Sequence, residues 1–180
     1  MNTEAILKAL EEHEGCIEHM YQCTGGRVTA GIGHAFSTAD EAAAAMFCRA
    51  GGAPAPREEI MRDFEAVRNA DPDRTADFYR QFTRLRMNRS AIDELARRDV
   101  ETFAAKLRSR VPEFDALPEP AQEALFDMAY NLGVDGLLKK FPKMMAAVGR
   151  RDWETAAQEC ERGGISAARN AWTAARFRSC

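Results

Sequence analysis

His13-Glu14-Gly15-Cys16-Ile17-Glu18-His19-Met20-Tyr21-Gln22-Cys23-Thr24-Gly25-Gly26-Arg27-Val28-Thr29-Ala30-Gly31-Ile32-Gly33-His34 is the stretch on which the chain turns. Its beginning closes a helix. From Thr3 to about His13, Ile6, Leu7 and Leu10 recur on one face, Thr3 can cap the start and Gly15 ends the run. Ile17–Gln22 then reads as a strand with Ile17, His19 and Tyr21 on one side. A Thr24-Gly25-Gly26 turn and a return strand over Arg27–Ile32 make a β-hairpin. Glycines at 31 and 33 let backbone or ligand come close.

Downstream, the pattern is helical. Thr38 and Glu41 form a capping box opening an alanine-rich helix that should stop at Gly51-Gly52. Ala53-Pro54-Ala55-Pro56 is a linker. Helices are expected at Arg57–Asn69 and Thr75–Leu85, divided by Asp71-Pro72-Asp73. A longer helix from about Ser90 to Val111 is ended by Pro112. Pro120 opens Ala121–Leu132, whose buried stripe is Leu125, Met128, Ala129 and Leu132, with Gly133 as its stop. Shorter helices follow at Pro142–Val148, at Trp153–Glu161 capped by Asp152, and at Ala167–Phe177. The fold class is therefore α+β: mostly helical, with one small hairpin near the front.

The chain has 180 residues, enough for one domain with a real core, perhaps in two lobes. A net charge of −3 gives no electrostatic reason to expect nucleic acid. The last quarter is the more basic part, with Lys139, Lys140, Lys143, Arg150, Arg151, Arg169, Arg176 and Arg178. Five cysteines, an odd count without framework spacing, read as reduced thiols. The acidic, amphipathic N-terminus does not read as a signal peptide. No apolar run approaches the ~20 residues that span a bilayer.

Taken singly, the polar residues of the opening stretch favour plain readings. Glu14, between a helix end and a glycine, can be withdrawn from water and act as a general acid, or be one more surface glutamate after Glu11 and Glu12. Cys23 at the turn and Thr29 on the return strand can share one rim, or be a small thiol and a β-branched strand residue. His13, Cys16, His19 and Cys23 are the ligand types of a tetrahedral zinc site, but Gly15 breaks the spacing. Cys23 with His34 is a conceivable thiol–imidazole pair lacking a third orienting group.

Their joint spacing reads differently. Glu14, eight residues, Cys23, five residues and Thr29, followed by Gly31-Ile32-Gly33-His34, resembles the active site of the phage-type lysozymes. These are the endolysin muramidases of glycoside hydrolase family 24, in which Asp or Cys holds the middle position. Tyr21 fits that pattern. So do Asp99-Val100 in the long helix, Leu125–Gly133 (LFDMAYNLG), Phe141, Trp153–Ala157, and Arg169 with Phe177. Only about Phe36–Leu85 lies outside the likeness.

The resemblance implies a single lysozyme-like domain over 1–180. A hairpin lobe at 14–89 includes the extra helical block, and a helical lobe at 90–180 with 1–13 contains the connecting helix. It implies a muramidase cutting the β-1,4 link between N-acetylmuramic acid and N-acetylglucosamine, without cofactor or metal, acting on peptidoglycan as a monomer. Glu14 is the implied acid and Arg169 its supporting partner. Cys23 and Thr29 complete the catalytic set, Tyr130 and Asn131 contact sugar, and His34 with Asp99 forms a structural ion pair. Ala35, Met144 and Glu159 differ from the family at cleft positions. Trp153 and Trp172 are expected in the core. Without a leader, the enzyme would reach the periplasm or wall through a holin or a secretion apparatus. It would serve phage lysis or bacterial antagonism, with an immunity protein as a further partner. The missing second carboxylate leaves a second expectation: a lysozyme-like module that binds glycan or protein without cleaving.

Overall fold

Helix α1 (Thr3–Glu14) buries Ile6, Ala9 and Leu10. Its start is capped one residue earlier than the sequence suggests: Asn2 Oδ1 accepts from the Ala5 amide at 3.2 Å. Gly15, at φ +76°, ends the helix in a conformation that costs a residue with a Cβ. The computed structural model describes all 180 residues and is mostly helical, with one three-stranded antiparallel sheet in the order β1-β2-β3. Strand β1 (Ile17–Gln22) pairs with β2 (Val28–Gly31), and Tyr21 stands opposite Thr29. Instead of one return strand over Arg27–Ile32, the chain turns again at Ile32-Gly33 and adds β3 (His34–Ala35) beside β2. Gly31 and Gly33, at φ +65° and +74°, make this second turn possible.

The block after the sheet departs most from its sequence reading. The Thr38 cap is present, its hydroxyl accepting from the Glu41 amide, while the Glu41 carboxylate accepts from Ser37 N. Yet α2 (Ala39–Ala43) is five residues long and does not reach Gly51. Phe47 is buried, and Cys48 exchanges backbone hydrogen bonds with Arg86 in both directions, which holds this chain extended. Helix α3 (Arg57–Arg68) forms as expected. The helix expected at Thr75–Leu85 is only a 3-10 run, Ala76–Gln81. Beyond it, one Asp63 oxygen accepts from the Thr83 hydroxyl and from the amides of Arg84 and Leu85, drawing those amides away from helical partners. Helix α3 and the 3-10 run both pack on β1. Consecutive residues His19 and Met20 are buried in consequence, so β1 does not alternate as a one-sided strand would. Gln22 Nε2 donates to the carbonyls of Val67 and Ala70 at the end of α3, satisfying groups the helix leaves open.

Helix α4 (Arg89–Arg110) begins under an Asn88 cap. The chain divides into two compact units: a sheet unit, Leu10–Asp99, and a helical unit, Met1–Ala9 with Val100–Cys180. The division falls inside α1 and α4, later in α4 than the sequence boundary near residue 90. The early turns of α4 belong with the sheet because Ile92 lies 3.6 Å from where a Gly31 Cβ would stand.

In the helical unit, α5 (Glu119–Leu132) is buried over Ala121–Ala129 on every side rather than along one stripe. Gly133, at φ +74°, separates it from α6 (Val134–Lys140), a helix the sequence reading did not foresee. Helices α7 (Pro142–Gly149), α8 (Trp153–Gln158) and α9 (Ala167–Arg178) complete the unit. Asp152 and Ser166 cap the last two. Trp153 and Trp172 are only half-buried, which corrects their expected place in the core. No helix is long and apolar enough to cross a membrane.

Candidate active site

The sheet unit gathers the residues of the opening stretch. Glu14, the last residue of α1, is half-buried and lies on the β2–β3 turn. A Cβ at Gly33 would stand 3.5 Å from its Cβ and Cγ and 3.8 Å from Oε2. Gly33 therefore serves twice, turning the chain and leaving room for the carboxylate. Cys23 follows β1 at the head of the Thr24-Gly25-Gly26 turn, where its backbone pairs with Arg27 and Gly26. Thr29, on β2, is buried, and its hydroxyl donates to the Arg27 carbonyl at 3.0 Å.

Charge and burial tie these groups together. Burial would push the Cys23 thiol up, but hydrogen bonds from the Arg27 and Gly25 amides, the Thr29 hydroxyl and the Arg27 charge bring it below the ordinary thiol value. The Thr29 hydroxyl has one proton, so it cannot serve the Arg27 carbonyl and a Cys23 thiolate together. With a neutral thiol the proton stays on the carbonyl, and with a thiolate it can swing to sulfur. Tyr21 is pushed up to about 12, first by burial and then by the nearby Cys23 and Glu14. Its phenol thus feels both groups and stays neutral across the physiological range.

His34, on β3, points Nδ1 at both oxygens of Asp99 in α4, at 2.9 and 2.8 Å. Both side chains are largely shielded, with 15% and 18% exposure. His34 Nε2 is 3.8 Å from Glu41, and its ring meets Phe36 edge-on. These partners occupy the imidazole and fix β3 to α4. The zinc reading finds no support: nowhere do three or more His, Cys, Asp or Glu side chains converge as ligands would. His19 is instead buried with Nε2 at 2.7 Å from the Ala76 carbonyl. All five cysteines are free thiols.

In the helical unit, Tyr130 near the end of α5 is half-buried and stacks on Phe126, with Phe103 of α4 at 5.0 Å. Asn131 beside it is exposed. Met144 is fully buried in α7. Arg169 is buried and donates Nε–H to Asp127 Oδ1 at 2.9 Å. Asp127 Oδ2 accepts from Arg162 at 2.6 Å and from the Thr173 hydroxyl at 3.2 Å. Burial would raise the Asp127 carboxyl, but the two arginines hold it below the usual carboxylate range. Sequence reasoning missed Asp127, Arg162 and Thr173. The available signal was an aspartate in the middle of LFDMAYNLG, where any buried charge demands partners.

No protein-family model matches this chain, and no curated protein matches it. The functional reading therefore rests on the motif and on the geometry around it.

Proposed function

We propose that the chain is a muramidase of the phage-lysozyme kind. It would hydrolyse the β-1,4 bond between N-acetylmuramic acid and N-acetylglucosamine in peptidoglycan, on a two-lobed lysozyme-like fold. The observation that supports this is the convergence on one small sheet of Glu14 against Gly33, Cys23 hydrogen-bonded with Thr29, and Tyr21 within reach of both charges. In this reading Glu14 gives its proton to the glycosidic oxygen as the bond to the anomeric carbon breaks. Cys23 answers from the opposite side. Its thiolate, favoured by the surrounding donors, faces the developing positive charge or takes a proton from the attacking water. Thr29 orients that water. Arg169, Tyr130 and Asn131 keep the supporting and sugar-binding roles that the resemblance assigns. The enzyme would work on the wall after release by a holin or a secretion apparatus.

The test is clearance of a peptidoglycan suspension. Wild type should clear it, and Glu14→Gln should be slower by roughly 10²–10⁴-fold, the usual contribution of a positioned acid, without a fall in melting temperature. Inversion at the anomeric carbon places Cys23 on the water; retention places it on the sugar. If wild type and Glu14→Gln are both inert on walls from several sources, the reading fails and a non-cleaving binding module takes its place.

A further inference from the structure

We propose that the helical unit carries a groove for the acidic peptide chains that hang from the wall glycan, with Lys106 as its charge-selecting residue. The inference rests on the muramidase reading for its ligand, but on separate residues for its site. The groove, about 480 Å³, lies between α4 and the α5–α6 junction. That volume is within the usual range for a small-ligand site. Phe103 forms an aromatic wall continuous with the Phe126–Tyr130 stack. The groove thus adjoins the pair of residues assigned to sugar contact: Tyr130 stacks on its wall, and Asn131 directly precedes the lining residue Leu132.

Three features select the ligand. First, the groove has one uncompensated charge. Arg110 and Asp135 neutralise each other at 2.6 Å. Lys106 instead rests its ammonium over the Phe103 ring at 5.2 Å, and no carboxylate pairs with it. A cation held on an aromatic face can still donate outward to an anion. Second, Gly133 lines the groove with open space where its side chain would project, so an extended chain can approach the backbone there. A Cβ at φ +74° would be strained as well as obstructive. Third, the Ser109 hydroxyl adds a donor and acceptor on the same helix, one turn beyond Lys106. An aromatic wall, an accessible backbone, a hydroxyl and one ammonium suit a peptide ending in carboxylates. A neutral glycan alone would leave the ammonium unused.

The decisive measurement is co-sedimentation with intact wall sacculi and with sacculi stripped of their peptides by an amidase. It is made in the Glu14→Gln background so that the walls persist. The parent should bind intact walls roughly ten-fold more tightly than stripped ones, from one charge contact counted with its aromatic support. Adding Lys106→Glu should abolish that preference and leave binding to stripped walls unchanged, whereas Lys106→Arg should keep it. Equal binding to both walls by the parent, or a preference that survives Lys106→Glu, overturns the inference. The two readings fail separately. Clearance by wild type without peptide preference leaves the muramidase standing alone. Peptide preference without clearance leaves the groove standing and removes the enzyme. Lys106 is exposed, so its substitution should leave the melting temperature in place.

Discussion

Cys23 in the sheet unit and Asp127 in the helical unit are both acids whose charged form is stabilised by hydrogen bonds, and burial separates their uses. Asp127 has 4% of its side chain exposed and faces Arg162, at 1%. Both of its oxygens are engaged by side chains from the Arg162 loop and α9. Cys23 is half-buried, and its donors come from its own turn and the neighbouring strand. A carboxylate enclosed by two guanidinium groups has no capacity left for a substrate. A sulfur at a turn, sharing one hydroxyl proton with a carbonyl, can change protonation state with little rearrangement. Complete satisfaction suits cohesion of a core, and partial satisfaction suits chemistry.

The comparison can be broken at its strongest point first. Asp127→Asn leaves two buried guanidinium groups facing a neutral amide. It should cost about 3–5 kcal/mol, the range for breaking a buried ion pair. Urea unfolding followed by tryptophan fluorescence reads this directly, since Trp153 and Trp172 both belong to the helical unit. A loss under about 1 kcal/mol would mean that the network is not what holds the helical core.

Cys23→Ala should lower wall clearance by roughly ten- to a hundred-fold while barely moving stability. Cys23→Asp should keep measurable activity and extend it toward acid pH. A carboxylate ionises near 4, whereas even a favoured thiolate ionises well above that. Equal clearance by the alanine variant and wild type would remove Cys23 from the mechanism.

The smallest expected effect concerns the sheet unit's own buried polar group. Burial lowers the His19 imidazole, against the opposing hydrogen bond to Ala76; Arg86 and Arg80 lower it further and Asp77 raises it. A base whose folded value is depressed favours folding while neutral. Its contribution is present above the unfolded value near 6.5 and declines as pH falls below it. Amide exchange in β1 should therefore quicken as pH drops from 7 to 5. His19→Gln, which can still donate to the Ala76 carbonyl, should flatten that dependence. An unchanged slope in the variant would assign the pH response to other groups.

Local patterns in the sequence carried the helices whose ends are set locally. Asp152 and Ser166 caps, Pro142 in a first turn and Gly133 as a stop act over a few residues, so their outcome does not depend on distant packing. The catalytic triple was legible for a related reason: Glu14, Cys23 and Thr29 lie within one helix-and-hairpin passage, where spacing nearly determines proximity. The block at 36–85 was not legible in the same way. Its alanine-rich and charged segments have helical propensity, but cross-chain hydrogen bonds at Cys48–Arg86 and Asp63–Leu85 override it.

The sequence by itself determined an α+β chain, the hairpin after α1 and the residues gathered around it. Only the tertiary structure decided that Gly33 makes room for Glu14, that a third strand carries His34 to Asp99, and that Asp127 binds two arginines from distant segments. Propensity and spacing act over a few residues, whereas burial and charge pairing are settled only when remote segments meet.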